Sequence, residues 1–171
     1  MNGTHFKLAT YAAMGGGQFP AIVLGDDAIA IAPAYRAFRD SQSGSAHALG
    51  ATESLAAILE DWDANFAVLQ EMVAFIEKEG LGSPRFAGAV AKTAALRTLA
   101  PVQKPGKILN AAQNFQEHVD EMIRAGMSPV NDTFTGEKST SRPYLFLKAP
   151  SCLAGARDDI AIPRGMNKID W

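Results

Sequence analysis

The stretch Lys107–Gly126, KILNAAQNFQEHVDEMIRAG, decides how the chain is read. Lys107 to Leu109 read as a short strand. Asn114 is placed to cap a helix, with Glu117 able to reach back as in a capping box, and Gly126 stops that helix. On it His118 and Glu121 lie one turn apart, so their side chains share a face and can share a hydrogen bond. The positive end of the helix dipole near His118 favours a neutral imidazole, which can accept a proton. Glu121 would stabilise the charge acquired during reaction and fix which ring nitrogen is free. The pair reads as a candidate base with its orienting carboxylate. Its bland counterpart is a solvent-facing His in an ordinary i, i+3 surface pair, and two residues at this spacing favour that counterpart when taken alone.

Outward from this segment, composition narrows the classes. A chain of 171 residues with 47% hydrophobic residues can bury one sizeable core, or a small domain with part of another. Sixteen Lys and Arg against 18 Asp and Glu leave a net charge of -2, which gives no electrostatic case for nucleic acid or an acidic membrane. A single cysteine, Cys152, excludes an internal disulfide framework, and with no leader over Met1 to Leu8 it fits a reducing cytoplasm. The apolar run Phe19 to Ala34 is broken by Asp26 and Asp27, so it does not read as a membrane span.

Towards the N-terminus, His5 to Ala12, Ala21 to Leu24 and Ala28 to Ala32 read as a small antiparallel meander. Gly15-Gly16-Gly17 and Gly25-Asp26-Asp27 punctuate it. The triple glycine lacks a following Lys-Ser/Thr, so it reads as a hairpin turn and not as a phosphate loop. His47, in the polar loop Asp40 to Gly50, has no second ligand near it and reads as a surface residue. Leu55, Ile58, Leu59 and Trp62, then Phe66, Leu69, Met72, Val73 and Ile76, repeat at helical spacing up to Gly80 and read as amphipathic core helices packed on the sheet. Two prolines and a glycine in Pro101–Gly106 mark a domain boundary.

Past the central helix, Met127 to Arg142 is polar and long for a connection, as lids often are, or is simply a surface loop. Tyr144 to Lys148 and Ile160 to Ile162 read as strands. Cys152 reads as a small buried apolar residue. Ser151 lacks the G-x-S-x-G elbow of a serine hydrolase.

Three blocks in order, NAAQNFQEHVDEM (Asn110–Met122), RPYLFLKAPSCLAG (Arg142–Gly155) and DDIAIPRGMNKIDW (Asp158–Trp171), resemble the fumarylacetoacetate hydrolase family over roughly Leu99 to Trp171. The resemblance implies a divalent metal, Mg²⁺ or Mn²⁺, held by acidic residues that include a Glu-x-Glu pair on the strand after the block like NKIDW. That pair would fall just after Trp171, so the resemblance implies no metal ligand in this chain, which reads as the N-terminal portion of a longer protein. Lys107 to Ala112 contains no acid, a departure that points to the branch of acylpyruvases, decarboxylases and related lyases. A hard cation chelated by a 2-oxo acid suits a C–C cleavage that leaves an enolate. His118 and Glu121 then take the role of water-activating or proton-transferring dyad. Lys148, in the block like the family's FLK segment, is a candidate for substrate or metal carboxylates, and Arg142 a candidate for covering an anionic substrate. A solvated charge is the simpler account of each.

The expected architecture is α+β: an N-terminal domain over 1–105, with a small antiparallel sheet and helices, followed by the beginning of a mixed β-roll over 106–171. The implied function is metal-dependent hydrolytic C–C cleavage or decarboxylation of a 2-oxo or 1,3-dicarbonyl carboxylic acid, in the cytoplasm and as a homodimer when complete. The competing expectation is a non-catalytic binding or assembly module, because an incomplete roll leaves strand edges and apolar faces open.

Overall fold

The computed structural model describes residues 5–13, 15–41, 48–112, 114–127 and 144–166. His47, Arg142 and the connection beyond Met127 therefore lie outside the described residues. The fold is mixed helix and sheet, and by its contacts the chain divides into two compact units, Met1–Gln103 with Leu153–Trp171, and Lys104–Cys152.

The first unit is built on the meander. Strands β1 (Lys7–Ala12), β2 (Gln18–Leu24) and β3 (Asp27–Ala30) pair antiparallel, and two short strands not expected from the sequence, β4 (Val90–Lys92) and β5 (Thr98–Leu99), complete a sheet of order β4-β3-β2-β1-β5. Gly15, Gly16 and Gly17 all hold positive φ at the β1–β2 hairpin. That backbone strongly favours glycine, and no helix follows it, as the hairpin reading required. The pairing Leu8↔Ile22↔Ile29 places three aliphatic side chains on one face, and Tyr11↔Phe19 with Ala9↔Ala21 falls on the other.

The first of these faces is covered by helices. One of them, α1 (Ile31–Ser41), begins where the third strand was expected to continue, so Ile31 and Ala32 are helical and not extended. Its buried residues Ile31, Ala34 and Phe38 recur at i, i+3 and i+7, a helical stripe inside the segment AIAPAYRAF. The expected core helices are α2 (Leu55–Glu60) and α3 (Trp62–Glu79), separated at Asp61 and ended at Gly80 with φ 77°. Ile58, Leu69, Met72 and Ile76 are fully buried with Ile22, Ile29 and Phe38 in one core, whereas Leu59 and Trp62 of the same apolar pattern are partly exposed.

The break between α2 and α3 has an identifiable partner. Buried Asn65 donates from Nδ2 to the carbonyl of Ile58 at 2.8 Å and accepts from the Gly50 amide through Oδ1 at 2.9 Å. Ile58 lies in the last turn of α2, where helical carbonyls have no partner of their own. Both polar atoms of a buried side chain are thus hydrogen-bonded where the backbone changes direction. On β1, the buried Thr10 hydroxyl, on the same face as Leu8, donates to the Pro101 carbonyl at 2.7 Å and holds the chain as it leaves β5. At the opposite edge, cross-strand partners Asp27 and Lys92 form an ion pair at 2.7 Å. The hydrogen bond from Lys92 to Asp27 raises the lysine pKa above its ordinary value.

The second unit contains a two-stranded antiparallel sheet of β6 (Ile108–Ala112) and β7 (Tyr144–Lys148), and the helix α4 (Gln116–Arg124). Strand β6 runs three residues past Leu109, and β7 spans the residues expected of it. Ile160 to Ile162, expected as a strand, has no ladder partner among the described residues and is not one. Both isoleucines are exposed, and Pro163 follows them without an N–H to give to a ladder. No helix among the described residues is long and apolar enough to cross a membrane.

Candidate active site

The candidate base is carried by α4, which leaves β6 after a three-residue connection. The expected cap is not the one formed: the N-cap is Phe115, in extended conformation and with no side-chain cap bond. Asn114 is one residue too early to receive the first free amides, and Glu117 falls inside the first turn, so the capping box is absent. The C-terminal end is as the sequence implied. Gly126 holds φ 76°, its amide bonds the Ile123 carbonyl at 3.0 Å, and the Met127 amide bonds the Met122 carbonyl at 2.9 Å. This pair of bonds is the Schellman arrangement, in which glycine supplies the left-handed residue.

Between these ends His118 and Glu121 approach to 3.8 Å, Nδ1 to Oε2. This separation is within ion-pair range for a protonated ring and beyond a hydrogen bond, so the shared bond expected from spacing is not closed in this state. His118 is about one-third exposed, with 37% of its side chain accessible, and Glu121 is 73% exposed. His118 thus stands at the margin of the covered side of α4, next to buried Val119 and four residues before half-buried Met122. Two further polar contacts of the helix are local: Gln116 Nε2 donates to Asp120 Oδ1 at 2.8 Å, and Arg124 Nε donates to the Asp120 carbonyl at 3.2 Å.

The adjoining sheet has two unlike faces. Ile108, Asn110 and Phe146 share the half-buried face, while Leu109, Leu145 and Leu147 stand exposed on the other. Lys148 is exposed at the end of β7 and pairs with Ile108, at the end of β6 away from the exit to α4. Of the four residues singled out from the sequence, the structure brings together His118 and Glu121; Arg142 is outside the described residues. Cys152, expected to be buried, is exposed. It lies in a short 3-10 turn, Pro150–Cys152, that carries no buried residue.

Among the described residues, no group of three or more His, Cys, Asp or Glu side chains is gathered as a metal site. Those residues do not by themselves fit the divalent cation that the family resemblance implies.

Comparison with known proteins gives a partial likeness. No family model matches the chain. Over 67 residues it is 37% identical to a maleylpyruvate hydrolase of Aquipseudomonas alcaligenes. It is 33% identical over the same length to uncharacterized proteins of Pyrococcus abyssi and Pyrococcus horikoshii. The matched stretch is 39% of this chain and 23–24% of those relatives, so the likeness spans about a quarter of their length.

Proposed function

We propose that this chain belongs to a hydrolase or lyase of the fumarylacetoacetate hydrolase type, acting on a 2-oxo or 1,3-dicarbonyl carboxylic acid. The observation that carries the proposal is the placement of His118 and Glu121 on one face of α4, 3.8 Å apart. The motif blocks around it and the partial likeness to a maleylpyruvate hydrolase support it.

In the proposed hydrolytic reaction His118 takes a proton from water as the oxygen attacks the substrate carbonyl carbon. The adjacent C–C bond then breaks, its electron pair passes to the 2-oxo fragment as an enolate, and the proton is returned to that carbon. For a decarboxylase the same group assists protonation of the enolate left by CO₂. A small rotation of the Glu121 side chain closes 3.8 Å to a hydrogen bond, as often happens only when substrate is bound. Lys148 and Arg142 are proposed to face the substrate's anionic groups. The cation, Mg²⁺ or Mn²⁺, is in this proposal held by carboxylates outside the described residues, and the whole protein is proposed to be a cytoplasmic homodimer. Purified full-length gene product should consume an acylpyruvate in a chelator-sensitive manner, with activity restored by Mn²⁺. Turnover unaffected by chelator rejects the metal assignment, and absence of turnover across acylpyruvates and related oxo acids rejects the enzyme reading.

A second reading has its own observation. The exposed face formed by Leu109, Leu145 and Leu147 suits an assembly role in which this chain binds a protein partner and performs no chemistry. That reading is the one left standing if no oxo acid is turned over.

A further inference from the structure

Gly155 to Asp158 form a turn that closes on itself and on the sheet edge of the first unit. The Asp158 amide bonds the Gly155 carbonyl at 3.1 Å. In return the Gly155 amide donates to Asp158 Oδ2 at 2.8 Å. The other carboxylate oxygen, Oδ1, accepts from Arg97 through Nη2 at 2.9 Å and Nε at 3.3 Å. Both oxygens of Asp158 are therefore used, one within the turn and one on the residue that leads into β5.

The seat of the turn is defined by backbone. A methyl group added at Gly155 would stand 2.5 Å from the Thr98 carbonyl oxygen and 3.0 Å from Asp158 Oδ2. Real Cβ atoms do not come so near a backbone oxygen, so only glycine fits here. The Arg97 carbonyl accepts from the Ala12 amide on β1. Carbonyls alternate in direction along a strand, so that of Thr98 points away from β1, towards the free edge. Gly155 thus lies against the outer edge of β5, the terminal strand of the five-stranded sheet. Edge strands carry unpaired backbone groups, and native proteins cover them with loops.

We propose that Gly155–Asp158 is a strap over the edge of β5, and that the Arg97–Asp158 pair is the latch that keeps it closed. Opening the latch frees the segment that includes Arg157 and Arg164 while leaving the rest of the first unit folded. The pairing also holds the Asp158 carboxyl below its ordinary pKa, first through the Gly155 amide and then through Arg97. Arg97 is the charged group that faces it. An isolated exposed ion pair contributes little. The strap differs in that the same carboxylate also closes the turn whose glycine is seated on the strand.

Limited trypsin digestion of the 171-residue chain, with cleavage sites assigned by mass spectrometry, tests the latch. Arg157 lies inside the turn and is a poor substrate while the turn is closed. In Arg97→Ala, cleavage after Arg157 should accelerate at least tenfold with the far-UV circular dichroism unchanged, and Arg97→Lys should restore part of the resistance. Gly155→Ala opens the strap sterically, with every charge in place, and should accelerate the same cut. Equal cleavage after Arg157 in wild type, Arg97→Ala and Gly155→Ala would overturn the proposal. So would acceleration in Arg97→Ala accompanied by loss of the sheet signal, since the latch would then be a general stability element.

Discussion

Replacing Asn65 with leucine should cost the first unit more than any surface change, and the structure says how much. Leucine keeps the branched outline of asparagine but is bulkier, so the loss of polar partners sets a lower bound to which overpacking adds. Asn65 satisfies two backbone groups, the Ile58 carbonyl at 2.8 Å and the Gly50 amide at 2.9 Å. The first of these bonds is buried, so its carbonyl is left without a partner, at about 1–3 kcal/mol. Gly50 is exposed and its amide can turn to water, so that loss is smaller, about 0.5–1.5 kcal/mol. Together they give roughly 2–4 kcal/mol, which for a unit of this size corresponds to a fall in Tm of about 10 °C or more. Urea denaturation followed by far-UV circular dichroism measures it. Asn65→Asp adds a signed control. The carboxylate keeps an acceptor for Gly50 but offers no proton to Ile58, whereas the protonated acid can donate. Burial and the facing carbonyl raise the folded pKa of such a carboxyl. The variant should therefore lose least, relative to wild type, at low pH, and progressively more as pH rises through that folded pKa. A midpoint for Asn65→Leu within about 0.5 kcal/mol of wild type would refute the idea that this side chain sustains the break between α2 and α3.

Gly126→Ala forces a side chain into the left-handed region at φ 76° and should cost about 1–2 kcal/mol in thermal or urea unfolding. Raising the pH through the carboxylate range should show Asp158 losing its proton below the ordinary carboxyl range. Stability from its contacts is present above the unfolded pKa and is lost as pH falls through the lower folded value; Arg97→Ala should move the NMR titration of Asp158 upward. Exposed Cys152 should react with an aromatic disulfide reagent in the native protein without denaturant, at the rate of a model thiol to within about tenfold. In the full-length gene product, Glu121→Gln should lower kcat by about tenfold or less, because the carboxylate is largely exposed and, in the proposed mechanism, acts on substrate only through His118.

What could be read from the sequence follows physical lines. The hairpin at Gly15–Gly17, the stop at Gly80 and the stop at Gly126 were legible because each needs a conformation that glycine adopts without strain. The apolar stripe of α3 was legible because its period survives in one face of a long helix. Helix α1 was not, since Ile29, Ile31 and the alanines around them suit a strand as well as a helix until Phe38 completes the longer period. Strands β4 and β5 have three and two residues, too few to show alternation. The His118–Glu121 neighbourhood was legible from helical spacing, but the separation of 3.8 Å and the exposure of both side chains depend on rotamers that spacing does not fix. The Arg97–Asp158 contact joins residues 61 apart, and no local pattern announces it. Cys152 misled because free cysteine is usually buried, and here a proline-led 3-10 turn keeps it at the surface.

The central claim is that His118 moves a proton in the reaction of the protein that carries this chain. Steady-state kinetics of the full-length His118→Ala variant with an acylpyruvate test it most directly. If His118 is the base, kcat should fall by about 10²–10⁴-fold with KM changed by much less, as for loss of a general base. Turnover equal to that of the wild type would contradict it.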